Sequence, residues 1–172
     1  MKRMFIISLL IVFIFLVGCT NPSNKVEPWC EDDFLFYDAE GNIAQQPDED
    51  TFYFIYVSSP EDGATHRGVC VGDDAIEALK KYDLSYCYGM AVYGNSDIGG
   101  ILTADVDIET LITTTEEVIR FDFSFDKEYN PIDRVSSLQS GINPPKELSF
   151  VVKDGKIFQI IVFNISPYWL SN

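Results

Sequence analysis

A single histidine, His66, is all that this chain of 172 residues carries, and its 12 Lys and Arg are outnumbered by 27 Asp and Glu. The first scarcity leaves one side chain that titrates near neutral pH for acid–base work. The second gives a formal charge of −15; with no basic face to displace counterions from phosphates, nucleic-acid binding is all but excluded. No Cys-x-x-Cys spacing occurs, and with one histidine a zinc site is not expected. No Gly-x-Ser-x-Gly or other nucleophile motif occurs, and carboxylates are too abundant to single out a glycosidase-like pair. The expectation is a protein that is not an enzyme and that has no cofactor.

What is there begins at the N-terminus. Lys2-Arg3 is a short basic region, Phe5 to Val17 a run apolar but for Ser8, and Gly18 a small residue before a cut, the pattern of a secretory signal. The run falls short of the roughly 20 apolar residues that a bilayer core requires, and Cys19-Thr20-Asn21-Pro22 breaks a helix at once, which argues against a membrane span. Leu16-Val17-Gly18-Cys19 resembles the lipobox of bacterial lipoproteins. The resemblance implies that residues 1–18 are removed and that Cys19 is lipidated, with acyl chains such as palmitate, as the first mature residue. The protein is then expected to be extracytoplasmic and held on the cell membrane by its lipid. A polar tether, residues 19–29, leads into a single domain, residues 30–172.

Loss of Lys2 and Arg3 with no acid moves the formal charge from −15 to −17. This opposes docking on anionic lipid, so the acyl chains are the expected membrane contact. With Cys19 used for lipid, Cys30, Cys70 and Cys87 remain. An odd number allows at most one internal disulfide. Cys70 and Cys87 flank the expected helix and are the preferred pair; three reduced thiols is the open alternative, since free cysteine packs as a small hydrophobe.

The expected fold class is α+β, an antiparallel sheet of about five to six strands with one short amphipathic helix, at about 73–82, packed on it. Thr51 to Ser58 is β-branched and aromatic with two apolar faces, the pattern of a central strand. Asp74 and Glu77 open the helix like a capping box, and Ile76, Leu79 and Tyr82 mark its apolar face. Tyr86, Tyr88, Met90 and Val92 share one face of a strand. Leu102 to Ile108 and Ile119 to Phe125 alternate apolar and polar residues, the pattern of half-buried strands. A hairpin closes the chain, Leu148 to Val152 and Ile157 to Phe163 around Asp154-Gly155, with Val152 facing Ile157 and Val151 facing Phe158.

Arg67-Gly68-Val69-Cys70-Val71-Gly72-Asp73, followed by a helix with Ala78-Leu79 and Lys81-Tyr82, resembles the opening of lipoproteins of Firmicutes. More distantly it resembles the small α+β domains of BamE-like outer-membrane lipoproteins and of β-lactamase-inhibitory proteins. That resemblance implies a helix on an antiparallel sheet and a function in binding other proteins. Asp105, Asp107 and Glu109 on one strand face are weak candidates for a divalent ion, with a solvated strand face the simpler explanation. Asp126-x-Glu128-x-Asn130 opens like a calcium loop, but Pro131 stands where glycine belongs, so an EF-hand is rejected. The expected function is a membrane-anchored module that binds or scaffolds an envelope protein. A solute- or cation-binding lipoprotein is the alternative, and a hydrolytic enzyme joining His66 to carboxylates a lesser one.

Overall fold

The alternation from Ile119 to Phe125 becomes an interior strand of a large antiparallel sheet in the computed structural model, which describes residues 26–46, 53–93, 96–102, 107–114, 118–133 and 145–164. In chain order come β1 (Phe36–Tyr37), β2 (Ile43–Gln45), β3 (Tyr53–Val57), β4 (Ala64–Thr65), α1 (Ala75–Leu79), β5 (Cys87–Tyr93) and β6 (Ser96–Leu102). There follow α2 (Ile108–Thr114), β7 (Val118–Phe125), β8 (Pro131–Ile132), β9 (Lys146–Lys153) and β10 (Lys156–Asn164). The large sheet has the order β3-β10-β9-β7-β5-β6, with β8 beside β7; a small sheet has the order β2-β1-β4. The class is α+β, as the sequence predicts.

Pairing register explains where the core sits. Ile119 faces Val152, Phe121 faces Phe150 and Phe123 faces Leu148 across β7 and β9. Ile160 and Val162 of β10 continue the rows toward Val57 and Ile55 of β3, and Cys87 of β5 continues the Phe123 row. These side chains are buried together with Ala75, Ala78, Leu79 and Tyr82 from α1 and its exit, and with Phe34 and Phe36 from the N-terminal segment. Burying a ring as large as Phe121 contributes about 1.5–3 kcal/mol, so this one face supplies most of the driving force.

The helix is shorter than predicted. Asp74 caps it by accepting from the N–H groups of Ile76 and Glu77. Glu77, cast as the reciprocal half of a capping box, turns out to Lys80 instead, 2.9 Å away. The closing hairpin turns through Asp154 (φ 53°) and Gly155 (φ 71°), two left-handed residues in a row as a tight primed turn requires. Val152 faces Ile157 as expected, but a bulge then sets Val151 opposite Gln159 and throws Phe158 out to 54 % exposure.

Four further expectations are corrected. β3 lies at the edge of the large sheet, not its centre, because β10 is its one partner among the described residues. Tyr86, placed with Tyr88, Met90 and Val92 on one strand face, precedes β5 and is 43 % exposed, and the strand opens at the buried Cys87, level with Phe123. The strand predicted over Leu102 to Ile108 does not reach Ile108, where a second helix, α2, begins, with Asp107 accepting hydrogen bonds from the Thr110 N–H and hydroxyl. Finally, Asp122 and Ser124 on the face of β7 expected to meet solvent are fully buried. No helix among the described residues is long and apolar enough to cross a membrane.

Candidate functional site

The turn after β4 and the segment before β1 meet at one arginine. Arg67 lies in the tight turn that follows Thr65, where Gly68 donates its N–H to the Thr65 carbonyl at 2.8 Å. From there the guanidinium reaches back to the N-terminal segment. Its Nε–H donates to Asp33 Oδ1 at 2.6 Å and Nη2 donates to Asp33 Oδ2 at 2.9 Å and to the Pro28 carbonyl at 3.2 Å. Nη1 donates to the carbonyls of Glu27 and Lys81 at 3.0 and 2.9 Å. A guanidinium has five N–H donors, and all five are used. Its central carbon also sits 4.9 Å from the ring centroids of both Trp29 and Tyr82.

Burial makes this pair consequential. The side chains of Arg67 and Asp33 are 5 % and 0 % exposed. Asp33 also accepts the backbone N–H of Cys30 at 3.0 Å, so one carboxylate holds both the arginine and the local chain. Tyr82 closes the arrangement from beneath, donating its hydroxyl to Thr65 Oγ1 at 2.9 Å, and burial raises its phenol far above the usual range so that it stays a neutral donor. Burial opposes the charge on Arg67, yet its bonds to and attraction by Asp33 win and raise the guanidinium above its ordinary value. An ion pair of this kind holds its partners in place; whether it adds net stability depends on how fully its hydrogen bonds are met, and here they are.

On the solvent side of the same seam, Cys30, Asp32 and His66 converge. One ligand-type atom from each, the thiol sulfur, a carboxylate oxygen and a ring nitrogen, lies within 4.8 Å of the other two, and all three residues are exposed. Each sits close in the chain to a member of the ion pair, so the pair sets their spacing. Tyr37 stands beside them, its ring 6.1 Å from that of His66, and burial followed by the negative charge of Asp32, Cys30 and Asp33 raises its phenol pKa. The triangle is too tight for a nucleophile–base–acid relay. In a relay the imidazole stands between its partners, which spreads thiol and carboxylate to on the order of 7 Å. A shallow cleft of about 620 Å³ adjoins it, lined by Val26, Glu27, His66, Arg67, Glu77, Lys80 and Lys81.

A second polar group lies inside the other face of the large sheet. Asp122 accepts from Arg120 Nε at 2.8 Å and Nη2 at 3.0 Å and from Ser149 Oγ at 2.6 Å. Ser149 lies between two carboxylates, Asp122 and the nearly buried Glu147, with no imidazole to take its proton. The geometry serves cohesion of β7 and β9, whose register places Asp122 directly opposite Ser149.

The residues singled out from sequence fare unequally. Cys19 lies outside the described residues, as does Asp105. Asp107 caps α2 and Glu109 lies in its first turn, so the strand face on which the sequence pattern places both, whether solvated or ion-binding, does not include them. Cys70 and Cys87, the preferred disulfide pair, are not bonded to each other, and Cys30 too is outside any disulfide. The topology separates them. Gly72, two residues after Cys70, donates to the Ile157 carbonyl on β10, whereas Cys87 stands on β5, level with Phe123, Leu148 and Val162 across three strand spacings. That is roughly 14 Å sideways alone, against the ~7 Å Cα separation that a disulfide tolerates. Asp126 folds its own turn, accepting from the N–H groups of Glu128 and Asn130 at 2.9 Å each. His66, considered from sequence only as an acid–base group, stands with Cys30 and Asp32, a neighbourhood that the sequence reading did not find. No family model matches this chain, and neither the curated proteins nor the solved structures contain a match to it.

Proposed function

We propose that this protein is a lipid-anchored, extracytoplasmic module that binds another envelope protein, with the outer edge of β3 as its docking strand. The observation that carries the reading is that edge. Among the described residues β10 is the one strand neighbour of Tyr53–Val57, and a strand at the margin of a sheet is a template for strand addition. On β3, Tyr56 is 53 % exposed on the face opposite Val57, and past the end of that strand Phe158, lifted out by the bulge in β10, is 54 % exposed. Exposed aromatic side chains beside a strand at a sheet margin supply side-chain anchoring for a strand held by backbone bonds.

The N-terminal pattern from Lys2 to Cys19 supports the placement of this module at a membrane surface, and the acidic charge supports a partner with a basic strand or rim. The experiment is a photo-crosslinking residue at position 158 of the full, lipidated chain in its native membranes. One dominant adduct is expected, and it is lost on Tyr56→Lys, which charges the edge. A ladder of unrelated adducts, or an adduct indifferent to Tyr56→Lys, contradicts the reading.

A further inference from the structure

We infer that Cys30, Asp32 and His66 form a binding site for a zinc-class divalent transition ion, with water completing the coordination shell. The donor set carries the identity of the ion. A thiolate, an imidazole and a carboxylate suit zinc and its neighbours, whereas calcium and magnesium take oxygen shells. Thiolate and carboxylate together balance the two positive charges, and the thiol gives its proton to solvent on coordination.

The distances fit. Tetrahedral zinc bonds of about 2.0–2.3 Å place N, O and S donors roughly 3.3–3.6 Å from one another. The three donor atoms already lie within 4.8 Å, so closure needs a shift of roughly 1 Å. Exposed side chains make such a shift by rotating, without disturbing the core. What rotation cannot supply is the backbone placement, because the ligands come from two segments far apart in the chain. The buried ion pair supplies it: Asp33, one residue after Asp32, holds the Cys30 N–H and Arg67, and Arg67 follows His66. These second contacts do for the segments what outer-shell partners do for metal ligands.

Position in the fold gives the site a consequence. The ion joins the segment that leads from the tether to the turn after β4, along the seam closed by Arg67. Metal binding is therefore coupled to the docking of residues 26–34 on the domain, and the bound form resists unfolding more than the free form.

Cobalt(II), which takes zinc's place and reports thiolate ligation by a charge-transfer band, is the probe. The full chain is purified in detergent, reduced, stripped of metal, titrated with cobalt and then with zinc. The expected result is one cobalt per chain, a thiolate charge-transfer band, and loss of that band as zinc displaces cobalt. Cys30→Ser abolishes the band, His66→Gln weakens binding at least tenfold, and Cys70→Ser leaves both unchanged, with near-ultraviolet circular dichroism confirming the fold of each. His66→Gln reads the site from the other segment should Cys30→Ser fold poorly. Absence of saturable cobalt binding, binding without the thiolate band, or a band that survives Cys30→Ser overturns the inference.

Discussion

Replacing Arg67 with methionine removes a charge that the fold has surrounded, and its cost can be worked from the groups it strands. Five hydrogen bonds are lost. Three of them end on the carbonyls of Glu27, Pro28 and Lys81 near the surface, where water replaces the donor at little cost. The other two end on Asp33, whose side chain is 0 % exposed. A buried carboxylate left without its partner costs about 3–5 kcal/mol, a large share of the roughly 5–15 kcal/mol that holds a domain together. With a urea dependence of about 2 kcal/mol/M, the midpoint falls by about 2 M. The assay is equilibrium urea unfolding followed by near-ultraviolet circular dichroism. The double variant Arg67→Met with Asp33→Leu removes both charges and regains most of the loss, because no ion is then stranded. A single variant within about 1 kcal/mol of the parent, or a double variant no better than the single, refutes the claim that this pair is fully desolvated and organises the seam.

Iodoacetamide reads the three thiols separately. Cys30 labels first, Cys70 more slowly because burial and then Asp73 raise its thiol pKa, and buried Cys87 only on unfolding; recovery of a Cys70–Cys87 disulfide by mass spectrometry contradicts the topology. Gly63→Ala destabilises by about 1–3 kcal/mol in thermal or urea unfolding, since its φ of 114° is costly for any side chain and an added Cβ would meet the Tyr37 carbonyl oxygen at 3.0 Å; an effect near zero refutes it. Slight burial works against the charge of Asp126, but bonds from Asn130 and Glu128 hold its carboxyl below the ordinary range. Its contribution is therefore present above the unfolded value of about 3.9 and lost as pH falls through the lower folded value. A carboxyl NMR titration showing Asp126 at or above 3.9 contradicts this.

Local pattern carried the parts of the fold that depend on neighbours in the chain. The phenylalanines of β7 face the core as their period of two requires, and Asp154-Gly155 makes the tight turn that its residue types favour. Other parts are decided by pairing partners that a pattern does not name. The aromatic run of β3 has two apolar faces, and nothing in it tells whether one strand or two will flank it. Asp122 alternates like a solvent-facing residue, yet Arg120 and Ser149 satisfy it in a buried setting. From Leu102 to Ile108 a period of two and a helix start overlap, and the legible signal was Asp107 three residues before Thr110, a cap pair. Cys30, Asp32 and His66 belong to two segments whose ion pair spans 34 residues of sequence. Ligand spacing within one segment gave no hint of them.

X-ray absorption at the zinc edge of the full chain, loaded with one equivalent of zinc in detergent, tests most directly the claim that the Asp33–Arg67 seam assembles a metal site. The account predicts one sulfur at about 2.3 Å with nitrogen and oxygen neighbours at about 2.0–2.2 Å, and loss of the sulfur shell in Cys30→Ser. A shell of oxygen and nitrogen alone in the parent chain, or a sulfur neighbour that persists without Cys30, contradicts it.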